Sequence, residues 1–222
     1  MATTQNKKSK NQEVSDLEII SLFMQFEMEG NGLFNEYTFC KAANIDENHF
    51  YSHFSSMEDL KSKIWLKFLD NATQKLLEDQ SFASYSSKER LLGLFFTLFE
   101  VFTLNRSYVL FASRKGIKNS ADFSHLLSFR KKLIAFVKHN VQEPESGLND
   151  KIKKVSQPVF AESVWIQFMM ILKFWINDTS PSFEKTDVFI EKSVTTTFDL
   201  WNTKPFESVL DLRKFLWKEK MM

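Results

Sequence analysis

The chain has 222 residues, of which 43% are hydrophobic and 26% charged, and its net charge at neutral pH is +1. Five glycines and four prolines are too few for the tight turns of an all-β sandwich or barrel, and a single cysteine, Cys40, excludes an internal disulfide framework and a cysteine-only zinc site. The charge is unevenly placed: residues 1–15 are net +2, residues 16–60 hold nine acids against one lysine for a net −8, and the remainder is net +7.

In chain order, Met1 to Gln12 is polar, carries Lys7, Lys8 and Lys10, and lacks the apolar run of a secretory signal. It is predicted to be a disordered basic arm over residues 1–15. Ser15 and Glu18 form a capping box that opens a first helix, with Leu17, Ile20, Leu22, Phe23 and Phe26 at helical spacing. Gly30, Asn31 and Gly32 are predicted to end it. A short second helix runs from Glu36 to about Ala43, capped by Asn35, and Asn44 suits a left-handed turn. Asp46 caps a third short helix through about His53. Ser55 with Glu58 reads as a further capping box, opening a long fourth helix to about Leu77.

Residues 79–87 are polar and serine-rich, which marks a connection. Ser86 with Glu89 caps a helix over about 88–104 that is apolar nearly all round and therefore expected to be buried. Further helices are predicted near 106–115, 121–142, 157–177, 182–202 and 205–218, with breaks at Gly116, Pro144 to Gly147 and Asp178 to Pro181. The most apolar stretch, Val164 to Ile176, is 13 residues long and contains Gln167 and Lys173. A membrane span needs about 18 apolar residues, so a cytoplasmic all-α protein is expected.

Residues 36–54 make a helix, a tight turn and a second helix. This is either a DNA-binding helix-turn-helix or a plain helical hairpin. Phe50, Tyr51, Phe54, Ser55, Ser56, Met57, Glu58 and Leu60 resemble the signature of the tetracycline-repressor (TetR) family. That signature is an apolar residue, Tyr, two variable residues, Phe, two small polar residues, Lys, Glu, a variable residue and Leu. Upstream, Phe39 and Cys40 stand where the family has Ile-Ala, Asn44 at its turn glycine, Ile45 at its Val, Asp46 at its capping Ser, and Asn35 at its usual capping Thr.

The resemblance covers residues 16–78. It implies a homodimeric, ligand-responsive transcription regulator, a repressor released by a small molecule. A DNA-binding head would occupy residues 16–60 and a ligand-binding and dimerisation body residues 61–222. The last two long helices, about 157–202, would pair across a two-fold axis. Val164, Phe168, Ile171, Trp175, Phe189, Val194, Phe198 and Trp201 supply apolar surface there, for that interface or for an internal core. Asn48, His49 and Ser52 are the candidates for base edges on double-stranded DNA, and Tyr51 and His53 for phosphates. Lys7, Lys8 and Lys10 either reach the DNA or form a solvated tail.

The sequence also departs from the family. Met57 replaces the signature lysine, no arginine precedes Arg90, and Glu47 lies on the first turn of the recognition helix. Arginine is the commonest guanine reader, and lysine and arginine supply most phosphate affinity. A head without specific DNA binding, serving a ligand-sensing or protein-partner-binding dimer, is the alternative. His49 and His53 at i, i+4 form a possible metal pair with Glu47 as the only further ligand in view, and no metal or other cofactor is assigned. No nucleophile–base pair or phosphate-cradling glycine loop argues for an enzyme. Phe95, Phe99, Phe102, Phe111, Phe129, Phe136, Trp165 and Met169 are candidates to line a pocket for an apolar or aromatic ligand, the other reading being a packed core.

Overall fold

A computed structural model describes residues 14–29, 35–118, 124–142 and 150–201; the architecture is all-α, with no strand among the described residues. The arm lysines, the Gly30 to Gly32 stop, the Pro144 to Gly147 break and the helix expected over 205–218 lie outside them. The chain divides into two units, Met1–Ile64 and Trp65–Met222.

The first unit is built from short helices whose starts are fixed by local caps. The helix α1 (Asp16–Met28) opens on the expected box: Ser15 Oγ accepts from the Glu18 amide at 3.3 Å, and the Glu18 carboxylate accepts from the Ser15 amide at 2.8 Å. Its buried face is Ile19, Ile20 and Phe23, whereas Leu17 is 58% exposed. In α2 (Glu36–Ala43), Asn35 Oδ1 accepts from the Thr38 amide at 2.9 Å. Asn44 adopts φ 54°, ψ 42°, the left-handed turn its side chain tolerates. The seven-residue α3 (Glu47–His53) follows, capped by Asp46. Phe39 packs edge-on against Phe23 and Phe50, with ring centroids 5.6 and 6.0 Å apart, and Phe54 joins them from the end of α3.

The cap of α4 (Met57–Leu77) lies one residue beyond the expected position. Ser56 Oγ accepts from the Asp59 amide at 3.1 Å, and the Asp59 carboxylate accepts from the Ser55 amide at 2.9 Å. Ser55 and Glu58 do not form the box. The two adjacent serines and two adjacent acids offer both registers, and the Ser56 one forms, with Met57 and Leu60 buried behind it.

In the second unit a 3-10 turn, Phe82–Ser84, leads to α5 (Ser87–Leu104). Its box of Ser86 and Glu89 forms as expected. Leu91, Leu94, Phe95, Leu98, Phe99 and Phe102 are buried, but Phe96 and Leu104 are exposed, so α5 is not buried all round. The helix α6 (Arg106–Lys118) continues through Gly116, where a break was expected. A 3-10 turn at 124–126 precedes α7 (Leu127–Asn140). Helix α8 (Asp150–Ile176) starts seven residues before the expected position and carries Pro158 inside it. A proline costs one helical hydrogen bond without forcing an end. The 3-10 turn Pro181–Phe183 and α9 (Glu184–Trp201) complete the described chain. Helix α7 packs on α8, and α9 packs on both α5 and α8.

Along α8, residues 157–176 are long and apolar enough to cross a membrane by length and composition. Phe160, Val164, Phe168, Ile171 and Trp175 on this stretch are fully buried in the protein, while Glu162 and Lys173 are exposed, the arrangement of a core helix.

Candidate functional site

The turn at Asn44 sets α3 beside α2 and fixes which of its residues face out. Asp46 Oδ1 accepts from the Asn48 amide at 2.9 Å and the His49 amide at 3.4 Å, so the first turn is closed by its own cap. Phe50 and Phe54 are buried; Asn48, Tyr51 and Ser52 are exposed. Ser52 Oγ donates to the His49 carbonyl at 2.6 Å, which turns its hydroxyl toward the helix.

The two histidines are less available than the sequence suggested. His49 is half-buried, with Nε2 2.6 Å from the Val14 carbonyl, 35 residues away along the chain. It fastens the start of the described chain to α3. His53 is also half-buried, its ring centroid 5.0 Å from that of His49. Among the described residues, no three or more His, Cys, Asp or Glu side chains converge as a metal site.

The described cations of the first unit are Lys41, Lys61 and Lys63, and two are tied to acids. Lys61 Nζ lies 3.6 Å from Glu27 and 4.0 Å from Glu58. Lys63 Nζ lies 3.2 Å from Asp59, donates to the His53 carbonyl at 2.6 Å, and sits 4.9 Å above the Phe54 ring. Lys41 stands 6.0 Å from the Tyr37 ring centroid. Met57, at the position of the signature lysine, is buried, and its amide donates to Glu36 Oε1 at 3.1 Å.

Carboxylates dominate the field around α2 and α3. Burial first, then Glu47, Asp46 and Glu36, pushes the Cys40 thiol up to about 11, so it stays protonated and inert at neutral pH. Burial, then Glu36 and Glu47, raises the Tyr51 phenol as well.

In the second unit, Phe95, Phe99, Phe102 and Phe129 are fully or almost fully buried. Phe99 and Phe102 meet at 5.4 Å, and Phe129 lies 4.9 Å from Phe168, which stacks on Trp165 at 5.4 Å. Phe111, Phe136, Trp165 and Met169 are only half-buried. Seven of the eight residues offered for the helix-pair surface (Val164, Phe168, Ile171, Trp175, Val194, Phe198 and Trp201) belong to the internal core, and only Phe189 is partly exposed. The outward apolar stripe on α8 is instead Ile166, Met170 and Phe174, with Phe174 stacked on Phe189 at 4.7 Å. Counting apolar residues on each helix did not separate these faces; their i, i+4, i+8 spacing was the available signal.

The sequence marked Asp178 only as a break. In the structure its buried carboxylate accepts from the amide and hydroxyl of Ser180 and of Thr186, at 2.6 to 2.9 Å. Burial alone would raise its pKa, but these bonds outweigh it and hold it at about 2. Arg106 donates to the Trp175 and Asp178 carbonyls, and its guanidinium lies between the Trp175 and Phe183 rings, 4.4 and 4.2 Å from their centroids. Beside this junction an open groove of about 550 Å³ is lined by Met170, Lys173, Phe174, Lys185 and Phe189, among others.

Residues 90–216, more than half of the chain, match the family model described as tetracyclin repressor-like, C-terminal domain. No curated protein matches the chain.

Proposed function

The chain belongs to the tetracycline-repressor (TetR) family, and we propose that it is a cytoplasmic, homodimeric transcription regulator that binds operator DNA through α3, represses nearby genes and is released by a small apolar or aromatic ligand. The observation that carries the DNA reading is the left-handed Asn44 between α2 and α3, which leaves Asn48, Tyr51 and Ser52 on one open face of a short helix. Asn48 and Ser52 are the base readers in this reading, and Tyr51 donates to a phosphate. His49 and His53 flank them, and Lys7, Lys8 and Lys10 add positive charge from the arm.

The domain organisation follows the same reading: an arm over 1–15, a head over 16–60 and a body over 61–222. The ligand is proposed to meet the half-buried Phe111, Phe136, Trp165 and Met169 and the rings of Phe95, Phe99, Phe102 and Phe129. The dimer forms through the stripe of Ile166, Met170 and Phe174 within residues 157–202, since burying such a stripe removes large apolar side chains from water. No catalytic group or cofactor enters this reading.

A second reading is favoured by the pairing of Lys61 and Lys63 with acids. A head with few unpaired cations suits a ligand-sensing or partner-binding dimer without specific DNA binding. Selection of genomic fragments by the purified protein at low salt decides between them. The regulator reading expects enrichment of a two-fold symmetric site with half-sites a whole number of helical turns apart, lost in the double variant N48A/S52A. Absence of any enriched sequence from the intact dimer rejects it in favour of the second.

A further inference from the structure

Several buried polar groups of the second unit have their partners inside it. The Asp178 carboxylate is bonded by Ser180 and Thr186. Gln167 donates to Ser193 Oγ at 3.0 Å and accepts from Thr197 Oγ1 at 3.4 Å, and Thr73 Oγ1 donates to the Leu69 carbonyl at 2.9 Å. Trp65 and Trp175 differ. Both are fully buried, and neither indole Nε1 has a hydrogen-bond partner among the described residues, as is also true of Ser113 Oγ on α6. A buried indole N–H usually finds an acceptor, because it has given up its water.

The two indoles are not equally placed. Both meet the ring of Phe102, with centroids 5.5 Å away for Trp65 and 6.1 Å for Trp175. Trp175 is covered by the Arg106 guanidinium, 4.4 Å from its centroid, and by Phe183. The ring neighbours of Trp65 are Phe68, Phe102 and Phe129, all nearly perpendicular to it, and His125 at 5.7 Å. His125 is half-buried, so on that side the indole lies one side chain below the surface. Ring faces are weak acceptors, and this shell leaves the N–H poorly served. None of the four neighbours carries a fixed charge.

We infer that Trp65 is the polar contact for the ligand of this aromatic interior, its indole N–H donating to a carbonyl oxygen, and that the ligand is a neutral carbonyl compound with an aromatic body, such as an aryl ketone. The inference rests on the reading that this interior takes a ligand. A hydrocarbon of the same shape leaves the donor unpaired. A carboxylate needs a cation beside it, because burying an unpaired charge costs more than one indole N–H returns. A neutral carbonyl supplies the acceptor without that cost, and the protein has already desolvated the donor that receives it.

Three probes of one shape separate these classes: methyl naphthyl ketone, isopropylnaphthalene, in which a methyl replaces the oxygen, and naphthoate, in which an oxygen replaces the methyl. Each is titrated by calorimetry into the full-length protein, W65F and W175F. The ratio of ketone to hydrocarbon affinity is the readout, since the ketone costs more to take from water. It is expected to fall about tenfold in W65F and to stay unchanged in W175F. A second readout uses wild type labelled with 15N-tryptophan, whose five indole signals are assigned by single Trp→Phe replacements, Trp65 by elimination if W65F does not fold. The Trp65 indole proton is expected further downfield in the ketone complex than in the hydrocarbon complex. Ketone and hydrocarbon bound with the same ratio in wild type and W65F, or the downfield shift on another tryptophan, overturns the inference and leaves the ligand-binding reading standing. Naphthoate bound more tightly than the ketone overturns the neutral class. No probe bound by wild type overturns the inference together with the reading it rests on.

Discussion

The two units are ordered by different means. The first is held at the helix starts by contacts between near neighbours in sequence: Ser15 with Glu18, Asn35 with Thr38, Asp46 with Asn48, Ser56 with Asp59. The second is held by rings that come from distant segments, such as Trp65 with Phe129 and Phe99 with Phe168. Their acids differ in the same way. Carboxylates of the first unit cap amides at or near the surface and set its negative field. In the second unit Asp178 is buried and bonded from two sides of a turn. A cap writes its helix start locally, even where rings such as Phe23, Phe39 and Phe50 pack the head behind it. A unit fixed by interlocked rings resists change in its interior and presents its function on the faces the core leaves out.

Core truncation is the strongest way to break this comparison. Phe168 is fully buried and touches the rings of Phe99, Phe102, Phe129 and Trp165. Phe168→Ala is expected to cost about 4–5 kcal/mol in denaturant unfolding, with Phe54→Ala in the smaller head at about 3 kcal/mol. Hydrogen exchange should show the Phe54 variant loosening α1 to α3 alone. Loss of protection across the second unit as well would mean that the units do not unfold separately.

The next largest effect belongs to Asp178. Asp178→Ala leaves the Ser180 and Thr186 donors without their acceptor and is expected to cost about 3 kcal/mol at neutral pH. The sign of its pH dependence is fixed by the shift. A carboxyl held at about 2, below its ordinary 3.8, stabilises the fold above the higher value. That contribution fades as pH falls toward the lower one. The stability difference between wild type and variant should therefore shrink between about pH 4 and pH 2. A difference independent of pH would show that Asp178 acts through packing alone.

Legibility followed the same division. In the head, the caps at Ser15, Asn35 and Asp46, the turn at Asn44 and the burial of Phe50 and Phe54 were readable because each depends on residues within a few positions. The one misplaced cap, Ser55 for Ser56, arose where two registers were locally equivalent. Contacts across the head were not readable. Nothing in the sequence pairs Glu36 with Met57 or His49 with Val14. In the body, the aromatic content announced a large core but not which rings enter it. Trp175 and Trp201 were open to a partner surface or an internal core and lie inside, while Ile166 and Met170 lie outside. The Asp178 junction was invisible for the same reason, since Arg106 reaches it from 72 residues away.

The smallest effect separates the units through their ion pairs. Lys63 is bound three ways, to Asp59, to the His53 carbonyl and over the Phe54 ring, and both partners of its ion pair are partly shielded. Lys75 meets Glu100 at 2.8 Å on the surface of the second unit, with more than half of each side chain exposed. Exposed pairs contribute little, because water and salt screen them and two long side chains lose freedom. Lys75→Met is thus expected to change stability by less than about 0.5 kcal/mol, and by nothing measurable in 1 M salt. Lys63→Met is expected to cost about 1 kcal/mol, most of it surviving salt, because a hydrogen bond and a ring contact are lost with the charge. A second readout is the Asp59 carboxyl. Burial raises its pKa, yet the Ser55 amide and Lys63 together hold it below the ordinary value, so removing Lys63 should move it upward in a carboxylate titration. If Lys63→Met leaves both stability and the Asp59 titration unchanged, the ammonium is not engaged within the head. It would then be available to a phosphate, and the electrostatic case for a head poor in usable cations would lose one of its two paired lysines.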